Sequence, residues 1–234
     1  MLGFWDYTVV LTYISFASAV TGMCCAMEGH LNWAVFYLAV SGLCDMFDGK
    51  IARTKKNRTD DEKSFGIQID SLCDVVCFGI LPILICYKAG MRFWYSFPIL
   101  VFYGLAGVVR LGYFNVMEIK RQAETDEDKQ YYRGLPITSM AIALPILFVV
   151  SPLFPGKQAL HVALHVLVLV VGILFITNFK LRKLNTVQLF LLVGVVALAV
   201  LIMVLMGRSF WFYMHHRMEK GGGICILQRI VNGR

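Results

Sequence analysis

The sequence predicts an all-α integral membrane protein, a polytopic helical bundle of six core spans followed by a seventh. Hydrophobic residues make up 58% of the 234 positions and charged residues 16%, and the mean hydropathy is +0.68. Apolar stretches of about 20 residues, enough to cross the hydrocarbon core of a bilayer, recur along the chain. Basic residues concentrate in alternate connections between these stretches. This combination is typical of a protein with several membrane-spanning helices.

The first four predicted spans are residues 8–27, 31–49, 66–88 and 93–116. The first has no basic residue before it and no convincing cleavage site, so we expect a retained span rather than a signal peptide. The second ends in an acidic cluster, and a further acidic cluster lies at the start of the third. The fourth contains Arg110, the only Lys or Arg deep in an apolar span.

The last three predicted spans are residues 135–154, 159–178 and 186–206. The fifth is entered through a Gly-Leu-Pro sequence that favours a stiff turn. The sixth ends in a basic stretch. A basic tail containing three consecutive glycines follows the seventh, which suggests a flexible end. We therefore divide the chain into a membrane domain at 1–184, an additional span at 185–206 and a tail at 207–234.

The distribution of basic residues predicts the orientation. The connections after spans one, three and five hold only Lys88, Arg92 and Lys157. By the positive-inside rule, the other connections and the amino terminus are cytoplasmic. Those connections contain Lys50, Arg53, Lys55, Lys56, Arg58, Lys63, Lys120, Arg121, Lys129, Arg133, Lys180, Arg182 and Lys183. Seven spans would leave the basic tail outside, so either the count is off by one or the tail folds back.

Two pairs of aspartates at the membrane boundary are the candidate functional residues. Asp45 and Asp48 are three positions apart, and Asp70 and Asp74 four, so on helices each pair shares a face. Four ionised carboxylates at mid-membrane would cost on the order of 10 kcal/mol, and less near the surface, where they would still repel one another. Two divalent cations would cancel their charge, and hard Mg²⁺ or Mn²⁺ prefers oxygen ligands. The residues therefore predict a two-metal site able to clamp a phosphoryl group, with Arg53 beside it as a phosphate ligand.

The pattern Asp-x2-Asp-Gly-x2-Ala-Arg-x12-Gly-x3-Asp-x3-Asp, over residues 45–74, resembles the signature of the CDP-alcohol phosphotransferase family. The resemblance implies a bundle of about six membrane helices, a homodimer, and an active site at the cytoplasmic mouth of a polar cavity. It implies transfer of a phosphatidyl-type group from a CDP-linked donor to an alcohol, with release of CMP. The donor-binding residues implied by it are Thr12, Asp48, Gly49, Ala52, Arg53, Gly66 and Asp70, the first on a looser likeness.

Two later stretches predict the acceptor alcohol. The segment from Arg110 to Asn115 and the Gly-Leu-Pro segment after Arg133 resemble those of phosphatidylserine synthases. Both arginines could bind the carboxylate of serine. For Arg110, a pair with an aspartate or a helix carboxyl terminus is an equally good reading, and Arg133 could be an ordinary membrane-surface anchor. We expect CDP-diacylglycerol and L-serine as substrates, membrane lipid as surroundings, and no nucleic acid, although the donor could also carry ether-linked tails.

The resemblance assigns the general base to Asp74, which would take the proton of the serine hydroxyl. A role as metal ligand only is the competing reading. Other acceptors within the family are glycerol 3-phosphate, choline or an inositol phosphate. An ion-coupled transporter could also use intramembrane carboxylates, but no matching pair of broken helices is visible in the two halves. A scaffold is the weakest alternative.

The remaining candidate residues favour structural roles. His161 and His165 are spaced to share a helix face and could bind a metal, but no acidic or cysteine partner is near in sequence. Seven cysteines show no CxxC spacing, and we expect them to act as small apolar packing residues.

Overall fold

The computed structural model describes residues 7–52, 54–55, 59–124, 131–154, 156–182 and 194–201. Short 3-10 turns precede the first helix and flank the sixth, and residues 194–201 are helical. The main helices are α1 (Val10–Met27), α2 (Leu31–Ala52), α3 (Asp60–Asp74), α4 (Leu81–Ala89), α5 (Ser96–Glu124), α6 (Met140–Val150) and α7 (Lys157–Ile176).

Four helices in this part of the chain are long and apolar enough to cross a membrane: α1, the continuous helix Asp61–Ala89, Ser96–Ile119 and Gln158–Ile176. They correspond to the predicted spans one, three, four and six. Helix α2 is of similar length, but its two aspartates lower its hydropathy. The predicted fifth span is a shorter apolar helix, Ile137–Leu153. The predicted seventh falls largely outside the described residues.

The third predicted span begins earlier than expected. Helix α3 starts at Asp60, not at residue 66, because Thr59 and Glu62 form a capping box. The Thr59 hydroxyl accepts from the Glu62 N–H at 3.2 Å, and the Glu62 carboxylate accepts from the Thr59 N–H at 3.1 Å. The last part of the predicted connection between spans two and three is therefore the first turn of the helix that carries the second aspartate pair.

A π-helical segment, Val75–Ile80, joins α3 to α4 directly after Asp74. The Leu81 N–H bonds to the Val76 carbonyl, five residues back instead of four. Pro82 explains this local geometry. In an α-helix its ring would clash with the Phe78 carbonyl, and it has no N–H to offer that carbonyl. The wider π turn avoids the clash and keeps the chain helical.

The bundle packs tightly around α2. Gly22 of α1 lies against it, since a Cβ built on this glycine would be 3.0 Å from the Tyr37 Cβ. Gly42 of α2 faces α6, and an added Cβ there would be 2.6 Å from the Ala141 Cβ. The two helices thus meet at a point where a larger residue would push α2 away, one turn before Asp45. The cysteines of the described residues are free thiols, half of them buried.

A small antiparallel β-ladder departs from the predicted all-α fold. Strand β1 (Tyr131–Arg133) pairs with β2 (Lys180–Arg182), joining the segment after α5 to the segment after α7. The Gly134 N–H extends the ladder with a 2.7 Å bond to the Phe179 carbonyl. Gly134 adopts a φ of +74°, which a residue with a side chain rarely adopts. The alternation of residues that marks a strand is not recognisable here, because each strand has only three residues.

Candidate functional site

The first aspartate pair lies near the carboxyl end of α2. Asp48 is buried, and its Oδ2 accepts a 3.2 Å hydrogen bond from the Thr12 hydroxyl of α1. Asp45, one turn earlier, is partly exposed and lies against Asp74. The structure thus places Thr12 beside the aspartates, as the looser likeness suggested. Its role as a donor contact stays a prediction.

The second pair completes the cluster from the carboxyl end of α3. One carboxylate oxygen from each of Asp45, Asp70 and Asp74 lies within 4.8 Å of the others. Asp48 joins this group through contact with Asp70. The two helices therefore face each other as the spacing predicted, and all four carboxylates converge.

The cluster fits a hard divalent cation. Asp70 Oδ1 is buried and has no hydrogen-bond partner in the described residues. The ion pair found nearby, Lys55–Glu62 at 3.1 Å, does not involve the aspartates. Converging carboxylate oxygens with an unsatisfied buried atom are the donor set that Mg²⁺ or Mn²⁺ binds, at about 2.0–2.1 Å for Mg²⁺. The same oxygen donors suit either metal.

The structure describes some of the predicted donor-binding positions. Gly49 is exposed, and a Cβ added there would meet nothing within 4 Å, so space is open beside Asp48. Gly66 lies one turn before Asp70 on α3. Ala52 ends α2, although its side chain is outside the described residues, and Arg53 is outside them altogether. Donor binding at Gly49 and Gly66, like a phosphate contact by Arg53, stays a prediction.

Arg110 of α5 does not pair with an aspartate in the described structure. It is buried, its Nε donates to the Leu135 carbonyl at 3.1 Å, and its guanidinium lies 5.7 Å from the centre of the Phe114 ring. It therefore anchors the turn that enters the fifth predicted span. The β1 backbone brings Arg133 to the same turn, but its side chain is outside the described residues.

Several polar residues within one helical turn of the site were missed from sequence. The Ser71 hydroxyl, between the two aspartates of α3, donates to the Asn115 side-chain oxygen at 2.7 Å. One turn from the aspartates, the Ser15 and Ser41 hydroxyls are 2.7 Å apart, and Ser15 Oγ lies 3.6 Å from the Cys77 sulfur. Helical spacing was the available signal, since Ser41 and Cys77 are one turn from Asp45 and Asp74.

The histidine pair lies elsewhere and is engaged in hydrogen bonds. His165 Nε2 is 2.8 Å from the buried Ser96 hydroxyl, and its Nδ1 is 2.6 Å from the His161 carbonyl. A carbonyl can only accept, so Nδ1 carries the proton and Ser96 donates to Nε2. Among the described residues, the group that could hold a metal is the aspartate cluster, and the histidines are not part of it.

Comparison with known proteins is consistent with the motif. The sequence profile of the CDP-alcohol phosphatidyltransferase family matches residues 7–205, which is most of the chain. The match continues through the segment predicted as the seventh span. Since this family consists of membrane enzymes and the structure contains four long apolar helices, the chain is an integral membrane protein.

Similar proteins include two whose names differ in the lipid product. CDP-diacylglycerol–serine O-phosphatidyltransferase of Saccharomyces cerevisiae is 32% identical over 152 residues, covering 62% of this chain and 53% of the yeast protein. Archaetidylserine synthase of Methanothermobacter thermautotrophicus is 29% identical over 167 residues, covering 70% of this chain and 66% of that protein. A CDP-diacylglycerol–serine O-phosphatidyltransferase of Helicobacter pylori is 29% identical over 168 residues, with 68% and 66% covered. The matches thus span about half to two thirds of these relatives.

Proposed function

The chain belongs to the CDP-alcohol phosphatidyltransferase family, and from this we propose that it transfers a phosphatidyl group from CDP-diacylglycerol to the hydroxyl of L-serine, releasing CMP. The observation that carries the proposal is the cluster of Asp45, Asp70 and Asp74, with Asp48 beside it, in the two helices that hold the family motif. Other membrane proteins also contain buried carboxylates, but the converging oxygens and the motif around them together favour phosphoryl transfer.

Serine is the acceptor that the relatives favour. The yeast and archaeal relatives are named for different lipid products, phosphatidyl and archaetidyl, yet both names include serine. The shared element is therefore the acceptor, while the lipid tails vary. We propose serine for this chain on that basis and choose the diacylglycerol donor because the bacterial and yeast relatives carry it in their names.

The four aspartates would hold two divalent ions, Mg²⁺ or Mn²⁺, against the pyrophosphate of the donor. When bound, such ions polarise the phosphorus under attack and neutralise the charge that builds on departing CMP. Thr12 fixes the orientation of the Asp48 carboxylate through its hydrogen bond. Open space at Gly49 accommodates the cytidine phosphates, and Arg53 contacts a phosphate oxygen.

Asp74 would accept the proton from the serine hydroxyl as that oxygen attacks. It is buried beside Asp45 and directly precedes the π segment. Arg110 and Arg133 would bind the carboxylate of serine. The Arg110 guanidinium has five N–H donors, of which Nε is used on the Leu135 carbonyl, so the same group can hold the turn and a substrate.

We also propose the placement of this site in the membrane. Basic residues in the connections on the aspartate side favour a cytoplasmic active site, within reach of soluble serine. Six core spans at 1–184, a seventh at 185–206 and a separate tail at 207–234 complete the proposed architecture, and the assembly is a homodimer. Cysteine-accessibility labelling from each side of sealed vesicles and mass measurement in detergent test orientation and assembly.

The experiment that tests the function measures CMP release by the purified protein in detergent. Reactions contain CDP-diacylglycerol, Mn²⁺ or Mg²⁺, and one candidate alcohol at a time: serine, glycerol 3-phosphate, choline or inositol phosphate. We expect CMP only with serine, and none after EDTA. CMP with another alcohol would retain the metal site and refute serine, whereas no CMP with any alcohol or with an ether-linked donor would refute the proposed function.

A further inference from the structure

One buried hydroxyl outside the predicted site contacts the helix that carries Asp70 and Asp74. Tyr103 of α5 is 1% exposed, and its hydroxyl donates a hydrogen bond to the Phe78 carbonyl in the π segment. Its ring also lies 5.6 Å from the Phe175 ring of α7. The Tyr103 ring of α5 thus packs against α7, and its hydroxyl is bonded to the backbone of the π segment.

The sequence explains why this carbonyl needs an outside donor. In an α-helix the Phe78 carbonyl would accept from residue 82, and that residue is Pro82, which has no N–H. Within the apolar interior of a membrane protein, no water replaces the missing donor, and an unsatisfied carbonyl is costly. The Tyr103 hydroxyl provides the bond. Close packing of α5 against α4 makes this hydrogen bond possible. A Cβ added at Gly104 of α5 would lie only 3.2 Å from the Ile83 side chain.

The π segment determines which way the second aspartate pair faces. It begins at the residue after Asp74 and ends before the packed residues of α4. An α-helix advances about 100° per residue, so conversion of a π turn to α-helix would rotate α3 relative to α4 by about that angle. Because Leu81, Ile85 and Cys86 of α4 are fully buried, α3 and its aspartates would be the part that turns.

From these contacts we propose that Tyr103 is a positioning residue for the aspartate cluster. Its hydroxyl stabilises the π geometry that Pro82 initiates, and this geometry keeps Asp70 and Asp74 aimed at Asp45 and Asp48. The inference rests on the proposed metal-dependent function, but it concerns the protein's affinity for the ion as well as turnover. Tyr103 itself does not contact the substrates.

The test compares Tyr103→Phe with the parent protein, and Tyr95→Phe is the matched control because it removes a hydroxyl from an exposed ring. Mn²⁺ affinity is measured directly on the purified proteins by the electron paramagnetic resonance of unbound Mn²⁺. We expect about tenfold weaker Mn²⁺ binding in Tyr103→Phe, the size of effect seen when residues supporting metal ligands are removed, and parent-like binding in the control. Parent-like affinity in a folded Tyr103→Phe would overturn the proposal.

A double variant separates positioning from folding if Tyr103→Phe alone does not fold. In Pro82→Ala/Tyr103→Phe, the backbone N–H of the introduced alanine can satisfy the Phe78 carbonyl once the turn becomes α-helical. We expect this variant to fold and still bind Mn²⁺ about tenfold more weakly than the parent, because neither residue then holds the π turn. Parent-like Mn²⁺ affinity, or a double variant that does not fold, would overturn the proposal.

The binding measurement also keeps this inference distinct from the enzymatic one. If the parent protein binds Mn²⁺ and Tyr103→Phe binds it more weakly, while no alcohol yields CMP, the positioning role stands and the proposed reaction fails. If serine yields CMP and both proteins bind Mn²⁺ equally, the reaction stands and the role of Tyr103 fails.

Discussion

Each end of the bundle places polar side chains between packed helices, and within the described part of the chain the two ends differ in how those side chains are hydrogen-bonded. At the aspartate end, Asp70 keeps a buried carboxylate oxygen without a hydrogen-bond partner among the described residues. At the far end, about 28 Å along α5 from Asn115, Ser96 bonds to His165, and His165 bonds to the His161 carbonyl. In the sequence, both the aspartates and the histidine pair are possible metal ligands. In the structure, their hydrogen bonds distinguish the two groups.

This difference shows how a functional polar cluster can be told from a structural one. A buried polar group with partners inside the protein holds helices together and needs nothing further. A buried polar group without such partners destabilises the fold, and a bound ligand can offset this destabilisation. Variants at the two ends test whether the aspartate end binds an ion and whether the histidine end has a structural role alone.

The largest effect is expected from Asp45→Asn. This change removes one of three carboxylates that converge within 4.8 Å, so metal binding and donor binding should be lost together. Since an ion contributes several kcal/mol to stabilising the transition state, we expect CMP release to fall by about 1,000-fold or more. CMP release and the rise in melting temperature caused by CMP with Mn²⁺ are the measurements. Asp61→Asn, an exposed change on α3, is the control, and metal-dependent activity in Asp45→Asn would contradict the metal site.

Asp74→Asn should separate base from ligand. If Asp74 takes the proton of serine, turnover should fall by about 100-fold or more, because general base catalysis commonly contributes that much. Much of the stabilisation by a CDP donor should remain, since three carboxylates still face the pyrophosphate. Parallel measurement of CMP release and donor-dependent melting temperature checks this. Near-parent turnover would refute the base assignment, and simultaneous loss of donor binding would favour a ligand role.

A smaller effect is expected from Arg110→Lys. The lysine keeps the charge but loses the planar fork, which donates to the Leu135 carbonyl and in the proposed site would also bind the serine carboxylate. Loss of one hydrogen bond to a charged group, worth about 1.5 kcal/mol, should raise the KM for serine about tenfold with a smaller change in kcat. Steady-state kinetics with varied serine measure it, with Arg92→Lys at the exposed far end as control. A fall in kcat at unchanged KM would count against contact with serine.

The smallest effect on activity is expected at the far end. Ser96→Ala removes the donor to His165 and leaves Nε2 without that bond, which should lower the free energy of unfolding by about 1–3 kcal/mol. CMP release per folded protein should stay at the parent level, because the proposed active site is at the aspartate end. Thermal unfolding and the CMP assay measure the two quantities, and exposed Ser64→Ala is the control. A large loss of turnover in folded Ser96→Ala would show that the far end serves the reaction.

Much of the aspartate cluster was predictable because helical spacing fixes which residues share a face. Asp45 with Asp48, and Asp70 with Asp74, needed only the assumption that two helices meet. Apolar length likewise predicted the four long apolar helices of the structure, whereas the span predicted at residues 31–49 corresponds to α2, which is not among them.

The remaining features depend on contacts between segments that are distant in sequence. The β-ladder pairs two short segments that are separated in sequence by α6 and α7, and no local sequence pattern predicts the pairing. The Arg110 partner is a backbone carbonyl of a later turn, not a charged side chain. Two features had overlooked local signals: the Thr59–Glu62 capping box marked the start of α3, and Pro82 marked the distorted turn after Asp74.

The β-ladder has a consequence for how the protein is made. All four aspartates have been synthesised once the chain reaches residue 74. The turn at Gly134 and Leu135, which accepts a hydrogen bond from Arg110, is bonded to the much later backbone carbonyls of Leu174 and Phe179. A nascent chain that has inserted only its first helices therefore contains all four aspartates before the turn at Gly134 and Leu135 can form these backbone bonds. This turn can take its final shape only after α7 has left the ribosome and β2 has paired with β1.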